Sequence, residues 1–204
     1  MEDLHEQLKN LKLRFRSLMN GPVSASMREK GLIYKVNFGV ELPRLREIAE
    51  GIEKNHELAQ ALWKEDIREC RLMAAMLQPL DSFYPDIADI WVDGMRFTEE
   101  AECTVMNLFQ YLPYASEKAF QWIADEREIF QQCGYLLLAR LFMSGKYCNE
   151  RAENEFLDQV GTALLSSSVA LRKAAQSSLV KFMDLGEREE KEGEKIIKNL
   201  GKNE

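Results

Sequence analysis

Leu62-Trp63-Lys64-Glu65-Asp66-Ile67-Arg68 is echoed by Ile90-Trp91-Val92-Asp93-Gly94-Met95-Arg96 and again by Gln121-Trp122-Ile123-Ala124-Asp125-Glu126-Arg127. In each stretch a tryptophan is followed five residues later by an arginine, with a turn residue (Asp66, Gly94 or Asp125) three places after the tryptophan. The intervals are 28 and 31 residues. Self-similarity at that period marks a repeat architecture. Each unit reads as the end of one helix, a tight turn, and the start of a second helix. The feature speaks to shape, and the chemistry needs its own argument.

Working outward, the pattern is helical nearly throughout. Leu4, Leu8, Leu11, Phe15 and Leu18 recur at alternating steps of four and three, on one face of a first helix. Asn20-Gly21-Pro22 stops it, and a short helix is expected from Ala25 to Lys30. Residues 32–42 read as a packed loop, because a lone strand would have nothing to pair with. Pro43 suits the first position of the next helix. Asn55 can cap the helix that ends at Trp63, and Asp66 with Glu69 resembles an acidic capping box. Asp86 and Thr98 are the expected caps of the helices they precede. Residues 128–143 are apolar almost all round, so that helix should be buried on most sides. Two further helices are expected near 150–165 and 168–185.

This gives about eleven helices in repeating pairs: an all-α fold, an α-solenoid of HEAT-like antiparallel pairs over residues 1–186. Neighbouring pairs bury one another's apolar faces, and the concave side is a natural binding surface. Residues 187–204 form a charged C-terminal tail, partly helical, with a last amphipathic turn expected to dock through Ile196 and Leu200.

Composition sets bounds. The chain has 204 residues, 46% of them apolar, enough to bury a core. Its formal net charge is −7 and its pI about 5.1. That balance does not favour nucleic acid as a whole, though partners respond to local field. The four cysteines, Cys70, Cys103, Cys133 and Cys148, form no Cys-x-x-Cys pair and read as small buried hydrophobes in a reducing compartment. His5 and His56 lack metal-ligand spacing, so no metal and no other cofactor is expected. The acidic, amphipathic start is no signal peptide, and no apolar stretch reaches the ~20 residues that span a bilayer. A cytoplasmic monomer without membrane contact is the expectation.

The stretch from Phe38 to Ala49, FGVELPRLREIA, resembles the DNA alkylation repair family of the AlkD type, HEAT-like-repeat alkylpurine DNA glycosylases. So does Leu62-Trp63 with the following Ile67-Arg68-Glu69-Cys70-Arg71-Leu72-Met73-Ala74. The resemblance covers roughly residues 30–185 and is most specific before Trp91. It implies a solenoid that cradles duplex DNA carrying alkylated bases and hydrolyses the glycosidic bond of cationic purines without metal or organic cofactor. A cationic base is already a good leaving group, so positioning and charge stabilisation supply much of such catalysis.

The resemblance also implies site positions, and here the chain departs from the pattern. Phe97 and Thr98 fall where two cleft tryptophans are expected. Glu99 falls on a first aspartate and Glu102 on the catalytic one, its carboxylate on a side chain one methylene longer. Gln132 falls on an arginine, and Ser177 on or near a further tryptophan. Glu102 is thus the candidate catalytic residue. The candidate DNA contacts are Arg68, Arg71, Arg96 and Arg127 at the starts of second helices, Gln132, and the patch Arg172, Lys173 and Gln176 with Lys181 nearby. Each arginine could instead pair with a carboxylate such as Glu69 or Glu128, and the glutamates at 99, 100 and 102 suit a solvated helix N-terminus. The alternative function is a non-catalytic solenoid that binds a protein or another ligand.

Overall fold

The computed structural model describes residues 3–145 and 150–201, and Cys148 lies outside them. Among the described residues the chain forms twelve α-helices, one 3-10 turn at Phe109–Tyr111 and no strand. It divides into two compact units, Met1–Tyr84 and Pro85–Glu204. The all-α reading holds, and the repeated turns fall where the tryptophans placed them.

Unit 1 contains α1 (Leu4–Ser17), α2 (Gly21–Glu29), α3 (Leu42–Glu50), α4 (His56–Trp63) and α5 (Arg68–Leu77). Asn20 and Asn55 cap α2 and α4, accepting from the backbone N–H groups of Val23 and Leu58. Pro22 sits in the first turn of α2, so the residues expected to stop α1 also start its successor. α4 pairs with α5, α1 packs on α4, and α3 on α5. All ten residues of α5 are buried.

The loop before α3 is packed, as expected, but it does find a partner. Val36 makes an isolated parallel bridge with Ile67. Its N–H donates to the carbonyl of Asp66, and Arg68 N–H donates to its carbonyl. Asp66 and Glu69 form no capping box. Ile67 occupies the N-cap position without a side-chain hydrogen bond. The Asp66 carboxylate accepts from Lys35 N–H, and Glu69 accepts from the N–H groups of Phe38 and Val40, both at 3.2 Å. The physical reason is the loop laid across the start of α5: the buried Glu69 and the half-buried Asp66 take its orphan donors instead of capping the helix. Gly39 lies in that loop at φ +72°, where a Cβ would meet the Asn20 carbonyl oxygen at 2.3 Å.

Unit 2 contains α6 (Pro85–Asp93), α7 (Thr98–Asn107), α8 (Ala115–Ile123), α9 (Glu128–Met143), α10 (Glu150–Leu164), α11 (Val169–Met183) and α12 (Glu187–Leu200). α9 is the hub, packing on α6, α7, α8 and α11. α10 packs on α8 and α11, and α12 on α10 and α11. α8 and α9 approach closely at Gly134, where a Cβ would sit 2.7 Å from the Ile123 side chain. Trp122 anchors this crossing between Phe109 and Phe130, with ring centroids 5.1 and 6.4 Å away. A second cluster, Tyr135, Phe142, Phe156 and Phe182, joins α9, α10 and α11.

Two expected caps resolve differently. α6 begins at Pro85, which leaves Asp86 inside the first turn. α7 has Phe97 rather than Thr98 at its N-cap. The charged stretch after Gly186 is helical through Leu200, with Glu189 and Gly193 buried. Gly193 lies against Met183, where a Cβ would be 2.4 Å from Cγ. The half-buried Ile196 faces Gly161.

Candidate nucleic-acid interface

Helix spacing picks out the face of unit 2 that its core leaves open. On α7 it carries Glu99, Glu102 and Met106, at steps of three and four. On α9 the stripe runs Ile129, Gln132, Leu136, Arg140 and Met143. On α11 it holds Lys173, Gln176, Ser177 and Val180.

Glu102 is exposed, and its carboxyl titrates above the usual range. Partial desolvation is the main cause, repulsion from Glu99 adds to it, and Lys173 opposes both. The Glu102–Lys173 interaction places α7 and α11 within electrostatic reach. Glu100 does not face water with its neighbours: it is fully buried and accepts from Arg96 N–H at 2.8 Å. The acidic cluster is therefore the buried Glu100, the half-buried Glu99 and the exposed Glu102.

Gln132 has 3% of its surface exposed, and among the described residues its Nε2 has no hydrogen-bond partner. An unsatisfied buried amide is costly, on the order of 1–3 kcal/mol. That burial removes Gln132 from the expected DNA contacts, because its amide lies beneath the surface of the α9 stripe and not on it. Arg140 lies two turns along that stripe and donates from Nε to Gln110 at 3.0 Å. Sequence reasoning missed Arg140 because it sits inside the longest apolar run, although its eight-residue spacing from Gln132 was readable.

The other candidate cations have varied fates. Arg68 and Arg71 are buried. Arg68 donates to the Val40 carbonyl at 2.9 Å and lies 3.4 Å from the Glu69 carboxylate. Arg71 donates to the Trp63 carbonyl and stacks 3.8 Å from that indole's centroid. Neither presents its charge to a phosphate. Arg127 is exposed but held by Asp125 and Asp93, its guanidinium 3.6 Å from the centroid of Phe130. Arg96 is exposed, with its guanidinium 5.4 Å from the Phe97 ring. Arg172 is half-buried and donates to the carbonyls of Ser166 and Ser167 just past the end of α10. Lys173 and Gln176 are exposed on the next turn. Lys181 pairs with Asp184 at 2.8 Å.

The tryptophans are core residues: Trp63, Trp91 and Trp122 are all buried. The Trp122 indole donates to Asp89 at 2.8 Å, and Asp89 also pairs with the buried Lys118 at 2.5 Å. Cys70, Cys103 and Cys133 are buried free thiols. Burial pushes the Cys70 thiol up to about 12 and raises that of Cys133 as well. No thiolate is available as a nucleophile from these two.

The sequence profile described as "DNA alkylation repair enzyme" matches residues 11–182. The chain belongs to the DNA alkylation repair family. No curated protein matches it. A solved structure superposes with a TM-score of 0.83 at 18% identity, over 95% of this chain and 83% of that one. That structure is described as "a new family of proteins related to the HEAT-like repeat DNA glycosylases with affinity for branched DNA structures". At that identity the likeness establishes a HEAT-like helical-repeat fold. For a DNA alkylation repair family member, the open face of unit 2 is chemically mixed: a partly desolvated carboxylate, two cations and several apolar side chains, with a buried orphan amide beneath them.

Proposed function

We propose that this protein binds DNA as a recogniser of DNA structure and does not excise alkylated bases. The observation that carries this reading is the burial of all three tryptophans. At the positions where the family resemblance puts cleft aromatics, Thr98 and Ser177 have no ring, and the half-buried Phe97 lies under the Arg96 guanidinium. Each lost base–aromatic contact forfeits about 1–3 kcal/mol. Affinity then falls to backbone contacts, for which Arg96, Arg140, Lys173 and Gln176 supply donors. The affinity for branched DNA ascribed to the structural neighbour supports the same reading.

One observation favours retained hydrolysis. The raised Glu102 carboxyl stands on the open face, where it could stabilise a cationic sugar. Base release from DNA carrying N7-methylguanine or N3-methyladenine separates the two, with wild type beside Glu102→Gln. The fold disfavours the ionised form of Glu102, a penalty that grows as pH rises through the ordinary glutamate value. Glu102→Gln removes that penalty, so the variant should fold at neutral pH, and a thermal melt beside wild type checks that lost activity is not lost folding. The expected result is no release above the spontaneous rate from either protein, with junction DNA bound more tightly than duplex and binding that weakens steeply with salt. Release abolished by Glu102→Gln would assign excision to that carboxylate. Absence of any DNA affinity would favour a scaffold that binds another ligand.

A further inference from the structure

We propose that unit 1 carries a second nucleic-acid contact, a groove along α1 that takes the unpaired strand at a DNA branch. It rests on the DNA-binding reading above. The first observation is charge segregation. Residues 7–46 hold nine Lys and Arg against two Asp and Glu, although the whole chain carries −7. Lys9, Lys12 and Arg44 pair with acids outside that segment, Glu6, Glu65 and Glu47, and the segment stays net cationic, the electrostatic footprint that suits a polyanion partner.

The second observation is how that charge is mounted. Lys9, Lys12 and Arg16 recur at i, i+3 and i+7, which sets them on one face of α1. Beside them is an open groove of about 360 Å³ whose apolar lining includes Leu8, Leu13 and Phe38. Phe38 is half-buried and firmly held: its N–H donates to Glu69 at 3.2 Å, and its carbonyl accepts from Asn20 N–H at 2.8 Å. Two of the three cations have competing ion pairs, one within α1 and one to the turn before α5. Lys9 meets Glu6 at 3.4 Å and Lys12 meets Glu65 at 2.7 Å, all partly or well exposed. Such pairs are weak and exchange readily for phosphate.

A fixed ring with a cationic rim is the arrangement by which proteins hold single strands: bases stack on the ring while phosphates meet the cations. A fully paired duplex presents phosphates but no free base face, so the ring adds affinity only where a strand is unpaired. An anionic membrane fits less well. α1 buries Leu11 and Phe15 inside unit 1, so its apolar face is already occupied.

The test uses the full chain and fluorescence anisotropy on two labelled ligands, a duplex with a single-stranded flap and the same duplex without it, across a salt series. Lys9→Glu with Arg16→Glu should weaken both ligands about tenfold or more and reduce the salt slope by about two. Phe38→Leu should weaken the flap ligand about tenfold and leave the duplex unchanged. Thermal melting by circular dichroism checks that each variant folds. Wild-type binding that both variants reproduce would overturn the groove and leave the DNA-binding reading intact. Failure of wild type on both ligands would overturn both. A Phe38→Leu loss shared equally by flap and duplex would overturn the stacking role. Tighter wild-type binding to phosphatidylserine vesicles than to the flap would give the face to a membrane.

Discussion

Arg68 in unit 1 and Arg127 in unit 2 hold the same place in the repeated Trp-turn-Arg unit, yet one is a buried strut and the other a surface clamp. Arg68 opens a helix that is buried along its whole length, and its charge is met by Glu69 and the Val40 carbonyl. Arg127 is itself exposed, ahead of a helix whose first residue, Glu128, is exposed, and its partners are the exposed Asp93 and the half-buried Asp125. The spacing fixes a helix end, a turn and a helix start. It does not fix how the arginine is used, because that depends on what covers the second helix. The difference between the units therefore lies in their acids: Glu69 is fully buried, Asp89 and Asp125 are half-buried, and Asp93 is exposed.

Glu69→Gln should break unit 1 hardest. It removes the carboxylate 3.4 Å from the buried Arg68 guanidinium and weakens the acceptor for Phe38 and Val40 N–H. Removing one partner of a buried ion pair costs about 3–5 kcal/mol. Urea denaturation measures it, and a loss below about 1 kcal/mol would mean that Glu69 behaves like its surface counterparts.

Asp89→Ala sharpens the middle case. Asp89 accepts from the Trp122 indole and pairs with Lys118, whose side chain is buried. Hydrogen bonds to a charged group contribute about 1.5–3 kcal/mol, and that is the expected loss. A second readout is spectroscopic. The Tyr114 phenol is pushed up to about 12, chiefly by desolvation and secondarily by Asp89. In the variant it should titrate lower while staying above the ordinary value, because the desolvation remains. An unchanged Tyr114 titration would remove Asp89 from that environment.

Much of the fold was legible because it is periodic. The tryptophans, the apolar stripe of α9 and Asn55 each report local geometry that the chain adopts wherever its neighbours lie. The candidate site was less legible, for the opposite reason. Nothing local distinguishes Arg68 from Arg127, or Glu100 from Glu102 two residues on, yet burial separates both pairs. Asp66 and Glu69 have capping-box spacing, but the loop from Lys35 to Val40 claims their carboxylates across about 30 residues of sequence. The cationic segment 7–46 was visible as composition and was lost when charge was averaged over the chain.

Asp125→Asn is the smallest effect and tests whether the surface clamp matters at all. Hydrogen bonds from Arg127 hold the Asp125 carboxyl down, from an ordinary 3.8 to about 2. A carboxyl depressed in the folded state contributes stability that is present above its unfolded value and lost as pH falls through the folded one. Wild type should therefore exceed Asp125→Asn at neutral pH, and the gap should close between about pH 4 and pH 2. Because the pair lies at the surface, with Arg127 exposed and Asp125 half-buried, the gap should be at most about 1 kcal/mol and should shrink with salt. Paired thermal melts at neutral and acidic pH measure it. A gap that persisted below pH 2, or one as large as that of Glu69→Gln, would show the Arg127 clamp to be structural in the way Arg68 is, and the contrast between the two units would fail.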